Sequence, residues 1–231
     1  MKSTGKVGTI QYTLLTSRTN RRITIRVGHD GMLTIRAPKR VSKRTIEELI
    51  TEHKEHLLSR IDEEARDAHT YEDGDRFPYA GTLVTLQVRT GATNRAHIKD
   101  DLLVVSSQNP RDKDRILRLI KALYRKEAEK RIKPLVEHWS RILGVSTPRF
   151  TIRDSKKRWG SCSKAGRLNF SLRSQALGDE ELSYLVLHEV AHLLHFDHSK
   201  EFKTILQTHM NDYKIRQKRM FAMQRTSQLI R

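Results

Sequence analysis

"VLHEVAHLLHFDHS", residues 186–199, places His188, His192, His195 and His198 within eleven positions. Leu182, Leu185, Val186, Val190 and Leu193 recur at helical spacing around it, which predicts a helix with one buried face. Asp179 is expected to cap that helix, with Glu180 and Glu181 in its first turn, where negative charge is favoured. Residues four apart on a helix differ by about 40° in direction and about 6 Å in height, so His188 and His192 can grip one ion from the same face. Glu189 points about 100° away from His188 around the helix. It cannot share the ion, but it can reach a metal-activated water and take its proton. Zn2+ suits such a site, because it lowers the pKa of a bound water toward about 7.

The third ligand has to come from His195, His198 or a later acid. His195 is expected on the same helical face, but about 10.5 Å along the axis from His188. Zinc–nitrogen bonds are about 2.0–2.1 Å, so three rings on a straight helix cannot converge. His198 lies past the expected helix end, where "FDHS" can turn the chain back and Ser199 can cap a following helix, "KEFKTILQTHM". The expected set is therefore His188, His192 and His198, with His195 a bystander. The spacing H-E-x-x-H-x5-H matches the metzincin ligand pattern, with His195 where that pattern has Gly. Glu201 is too close to serve, and Asp212 is a weak candidate.

Outward from this stretch, residues 9–15, 22–27 and 32–36 read as strands, with "HDG" (29–31) as a hairpin turn. Residues 43–67 carry a helical stripe that includes Ile46, Ile50, Leu57 and Ile61. Further strands are expected at 82–89, 95–99 and 102–106. "NP" at 109–110 signals a helix start, with Asn109 as cap, and the helix runs to about 143. Pro134 is expected to kink or break it near 130–134. "RFTIRD" (149–154) and "RWGSCSKAGRLNFSL" (158–172) read as short strands. The strand at Leu168–Ser171 reads either as an open edge that pairs with an extended peptide or as a covered interior strand. "KIRQKRMFAMQR" (214–225) is expected to be a basic helix. No internal repeat is visible. The expected fold class is α+β, with a β-rich N-terminal region with one helix (1–108) and a catalytic domain (109–231).

With 231 residues the chain can form one substantial domain or two small ones. No run approaches the length of a membrane-spanning helix. "MKSTGKVGTIQYTLL" lacks the apolar centre of a signal peptide. The expectation is a cytoplasmic protein with no membrane partner. Its single cysteine, Cys162, excludes an intrachain disulfide. The net charge of +18 favours anionic partners, nucleic acid or nucleotides among them. No nucleic-acid recognition motif is visible, and oligomeric state is not legible. Trp159 reads more readily as core than as substrate platform, and Cys162 as a small buried residue.

"RWGSCSKAGRLNFSLRSQAL", "LSYLVLHEVAHLLHFDHSKEF" and "DYKIRQKRM" together resemble the YgjP-like metallopeptidase family, relatives of SprT and Spartan. The close match covers about 158–220, and "RRITIRVGHDGMLTIRAPKRVSKRTIEELI" resembles the β-rich start of that family. The resemblance implies a zincin-type domain, with His188, His192 and His198 as metal ligands and Glu189 as general base. It also singles out Arg158, Trp159, Gly160 and Cys162 in "RWGSC", and Tyr213 and Arg216 in the Y-K-x-x-R segment. Asn211 stands where the family often has Pro. The expected function is a zinc-dependent metallopeptidase acting on polypeptide. One rival is metal-dependent nucleotide pyrophosphatase chemistry at the same site, which some family members are credited with. The other is a DNA-associated basic metal-binding module.

Overall fold

The computed structural model describes residues 2–28, 31–66, 69–155 and 158–226. The chain divides into two compact units, Met1–Ala68 and His69–Arg231.

The first unit contains strands β1 (Lys2–Val7), β2 (Ile10–Ser17), β3 (Thr24–Val27) and β4 (Leu33–Pro38), then helices α1 (Lys43–Glu52) and α2 (Lys54–Arg66). The sheet order is β1-β2-β4-β3, with β2 and β4 parallel and the outer pairs antiparallel. Strand alternation sends Ile10, Tyr12, Leu14, Leu33, Ile35 and Ala37 to one buried face, which forms a core with Ile46, Ile50 and Leu57. His29 and Asp30 of the expected "HDG" turn lie outside the described residues, but β3 and β4 pair antiparallel and Gly28 N donates to Met32 O at 2.8 Å. The single helix expected over 43–67 is two. His53, at φ −104° and ψ 19°, leaves helical geometry for one residue and caps α1. The apolar stripe survives that break, so periodicity alone does not reveal it.

The second unit opens with β5 (Arg76–Tyr79), β6 (Thr82–Thr90), β7 (Arg95–Lys99) and β8 (Leu102–Ser107). Their order, β5-β6-β8-β7, and their pairing repeat the arrangement of the first sheet. This sheet, which sequence grouped with the N-terminal region, belongs instead with the long helix α3 (Lys113–Ile142). Phe77, Leu86, Leu103 and Val105 share one core with Ile116, Ile120 and Tyr124, and the Tyr124 hydroxyl donates to Pro78 O at 2.8 Å. Asp112, not Asn109, caps α3, accepting from Arg115 N at 2.9 Å. The helix also runs unbroken through Pro134. Pro134 lies on the exposed side, while Ile132, Val136 and Trp139 hold both halves of the helix to the core.

After α3 come β9 (Phe150–Arg153), β10 (Gly160–Cys162) and β11 (Leu168–Ser171), a 3-10 helix (Leu172–Ala176), and helices α4 (Asp179–Ala191), α5 (Lys200–His209) and α6 (Tyr213–Thr226). The small sheet has the order β10-β11-β9, so Leu168–Ser171 is its interior strand and β10 an edge. The fold is α+β. Among the described residues no helix is long and apolar enough to cross a membrane.

Helix α4 is buried nearly all round. Leu182, Leu185, Val186, Leu187 and Val190 are each at most 2% exposed, and each such side chain contributes about 1.5–3 kcal/mol by its burial. Its N-cap is Gly178, with Asp179 in the first turn. That frees the Asp179 carboxylate for Arg131 of α3, whose guanidinium also donates to Gln175 O and Leu177 O at 3.2 and 2.8 Å. The Trp139 indole N–H donates to Ser183 Oγ at 3.2 Å, a second tie from α3 to α4.

Candidate metal centre

His188 and Glu189 lie in the last turn of α4, and His192 is its C-cap. The helix therefore ends before His195, which leaves the helical face expected for it. Its N–H still bonds Ala191 O at 3.1 Å, and its carbonyl accepts from His192 Nδ1 at 3.1 Å. The chain then turns through Phe196 and Asp197, and His198 folds back beside the helix end. Ser199 caps α5 as expected, accepting from Phe202 N at 3.3 Å. That cap seats Phe202 under the histidines. Its ring stacks on His192 with centroids 4.5 Å apart, and it meets His188 and His198 edge-on at 5.0 and 5.1 Å.

Among the described residues, His188, His192 and His198 form a group that could hold a metal ion, one ring nitrogen from each lying within 4.8 Å of the others. The outer ring nitrogens are engaged. Tyr184 Oη lies 3.4 Å from His188 Nδ1, and His192 Nδ1 donates to the His195 carbonyl. With Nδ1 turned to these partners, Nε2 of each ring is the nitrogen left to offer a lone pair inward. The His188 and His198 Nε2 atoms face each other at 3.3 Å. Two ligands of a tetrahedral zinc at 2.0–2.1 Å would stand about 3.3–3.4 Å apart, so the rings fit such an ion. The set is also electrically prepared for a cation. Burial and the neighbouring His192 and His198 lower the His188 pKa to about 3, so its ring is neutral at physiological pH. Asp212 is not in the group, because both its oxygens accept from Arg216 Nε at 2.9 Å.

Glu189 is 4% exposed. Burial pushes its carboxyl up to about 8, against the opposing pull of Arg158. Its Oε2 makes no hydrogen bond. Strand β10 crosses directly over it: a Cβ on Gly160 would lie 2.5 Å from Glu189 Oε1. Gly160 thus has to be a glycine for β10 to lie this close to α4. Cys162, on the same strand, is half-buried, and burial together with the Glu189 charge raises its thiol pKa.

The accessory residues separate into two groups. Arg158 is exposed and acts on Glu189 through its charge. Trp159 is a core residue, 4% exposed, with the Arg173 guanidinium 5.0 Å from its ring centroid. Tyr213 is 7% exposed and stacks on Tyr184 at 6.5 Å. Arg216 is committed to Asp212. Sequence reading did not single out Tyr184, Phe202 or the backbone carbonyl of His195. Tyr184 had a detectable signal, standing four residues before His188 and hence on the same face of the helix. Phe202 had one too, three residues after a capping serine.

A family model described as "YgjP-like, metallopeptidase domain" matches residues 21–222. No curated protein and no solved structure matches the chain.

Proposed function

The chain belongs to the YgjP-like metallopeptidase family, and from that premise we propose that it is a zinc-dependent peptidase, with His188, His192 and His198 holding the ion and Glu189 acting as general base. Membership implies a divalent metal and polypeptide substrates. The observation that carries the finer reading is the convergence of three imidazoles within 4.8 Å beside a buried carboxyl group. When bound, zinc supplies Lewis acidity, polarising a peptide carbonyl and lowering the pKa of water.

The protein's own groups supply the rest. Tyr184 and the His195 carbonyl hold the outer nitrogens of His188 and His192, which orients both rings, and the carbonyl sets the His192 tautomer. Phe202 packs against all three rings. Glu189 takes the proton of the attacking water and delivers it to the leaving amine. A carboxyl group whose pKa is raised by burial is a stronger base than an exposed one and is matched to work near neutrality. The charge of Arg158 opposes that rise. Tyr213 stacks on Tyr184, and Arg216 holds the start of α6 through Asp212.

The test pairs metal analysis with cleavage of an unfolded polypeptide library. Wild type is expected to carry about one zinc per chain. Glu189→Gln is expected to keep the ion and lose at least about 10²-fold in cleavage rate. Full cleavage by Glu189→Gln would remove the general-base assignment. Retention of metal in a His188→Ala/His192→Ala double variant would remove the ligand set.

A further inference from the structure

A cavity of about 630 Å3 runs between strand β7 and helix α3, within the second unit. One wall is the continuous stretch 94–98. The other is a single face of α3, with Leu119 and Leu123 low in the groove and Lys126, Glu127 and Lys130 on its side. Strand β7 is the outer strand of its sheet and, among the described residues, pairs only with β8. Roughly half of its backbone N–H and C=O groups therefore point away from β8. An open strand edge beside a helix is the geometry that accepts an extended peptide as an added strand. The backbone supplies the bonds, and alternate side chains reach the floor.

Charge selects the occupant. Glu127 is already engaged by Lys130 Nζ at 2.7 Å and by the Tyr79 hydroxyl at 3.5 Å. Among the described residues, Arg95 and Lys126 have no carboxylate partner, so the groove presents surplus positive charge. The same charge opposes a second copy of this chain, whose net charge is +18 and whose own β7 carries Arg95 and Lys99. We propose that the groove between β7 and α3 docks an extended acidic segment of another polypeptide, added as a fifth strand beside β7. It uses none of the residues of the metal centre and stands or falls independently of it.

The test uses the full chain and a fluorescein-labelled nonapeptide of alternating valine and glutamate, with an alternating valine–lysine peptide as control. Binding is read by anisotropy at low salt and localised by hydrogen exchange. The acidic peptide is expected to bind and the basic one not. Amides within residues 94–98 are expected to slow their exchange. Lys126→Glu/Lys130→Glu is expected to weaken binding by about tenfold or more. Both positions are exposed on α3, so the variant is expected to fold, and Lys126→Ala/Lys130→Ala provides a milder version. Equal binding by wild type and both double variants would overturn the proposal. So would binding that leaves residues 94–98 exchanging as before, or an oligonucleotide that protects them while the peptide does not.

Discussion

Replacing Gly160 by alanine adds one methyl group where β10 lies against Glu189 of α4. That carbon would stand 2.5 Å from Glu189 Oε1, 2.8 Å from Cγ and 2.9 Å from Cδ, where ordinary contact begins near 3.4 Å. The carboxylate oxygen must retreat by about 0.9 Å. The helix backbone cannot yield, because Val186, Leu187 and Val190 are fully buried. The retreat therefore falls on the Glu189 side chain, which leaves its rotamer. Overpacking of this kind costs about 1–3 kcal/mol of stability. A misplacement of about 1 Å costs about 10²-fold in rate, equivalent to about 2.7 kcal/mol in the barrier. The histidines are not touched, so metal affinity is expected to stay within about threefold of wild type while kcat for peptide cleavage falls about 10²-fold. The assay is steady-state cleavage of a fluorogenic peptide, with zinc affinity by chelator competition and Tm by calorimetry in parallel. Unchanged kcat in a folded, metal-loaded Gly160→Ala protein would refute the argument that β10 holds the Glu189 carboxylate in place. Metal loss in step with activity would also refute it.

Other perturbations separate the roles of neighbouring groups. His198→Ala is expected to lose the metal, whereas His195→Ala keeps it, since His195 contributes its backbone carbonyl; elemental analysis of the two purified variants decides. Tyr184→Phe is expected to weaken metal affinity by about tenfold or more with Tm nearly unchanged, and loss of a single His188 tautomer in nitrogen-15 spectra would accompany it. In the first unit, Tyr12 is fully buried and donates to Glu47 at 2.8 Å, and burial and that carboxylate push its phenol up to about 12. A folded-state pKa raised above the unfolded value of about 10 stabilises the fold fully below pH 10 and is lost as pH rises through 12. Urea unfolding between pH 9 and 12 is expected to show a steeper loss in wild type than in Tyr12→Phe, and equal slopes would count against it.

The histidine cluster and the α+β class were legible because both rest on spacing. Two imidazoles four apart on a helix converge whatever surrounds them, and Ser199 announces α5 through its hydroxyl. What surrounds them is set by tertiary contact and left weaker traces. The end of α4 at Ala191, rather than past His195, follows from where His198 and Phe202 pack. Gly160 matters because of a strand crossing that no local pattern encodes. The unbroken passage of α3 through Pro134 depends on which side of the helix the proline occupies. The two four-stranded sheets share one strand order, yet they showed no repeat. Alternation is all a half-buried strand requires, and it can be met with Tyr12 and Ile35 in one sheet and with Leu86 and Val105 in the other. The boundary drawn at 108 followed a change from strands to helix, whereas the second sheet finds its buried partner in α3.

Arg131 sits far along the chain from the histidines, yet it helps to set their aim. Its guanidinium grasps Gln175, Leu177 and Asp179 where α4 begins. A helix is a screw, and the angle at which it starts determines the direction of every later side chain. A slip of one residue at Asp179 would rotate the whole shaft by about 100° and slide it by about 1.5 Å. His188 would then point where Glu189 now points, some 13 Å beyond the place where the slip occurred. The lock on that angle is a planar fork with fixed teeth, which a lysine cannot copy. The aim of the histidine end is thus set in part at the opposite end of the helix.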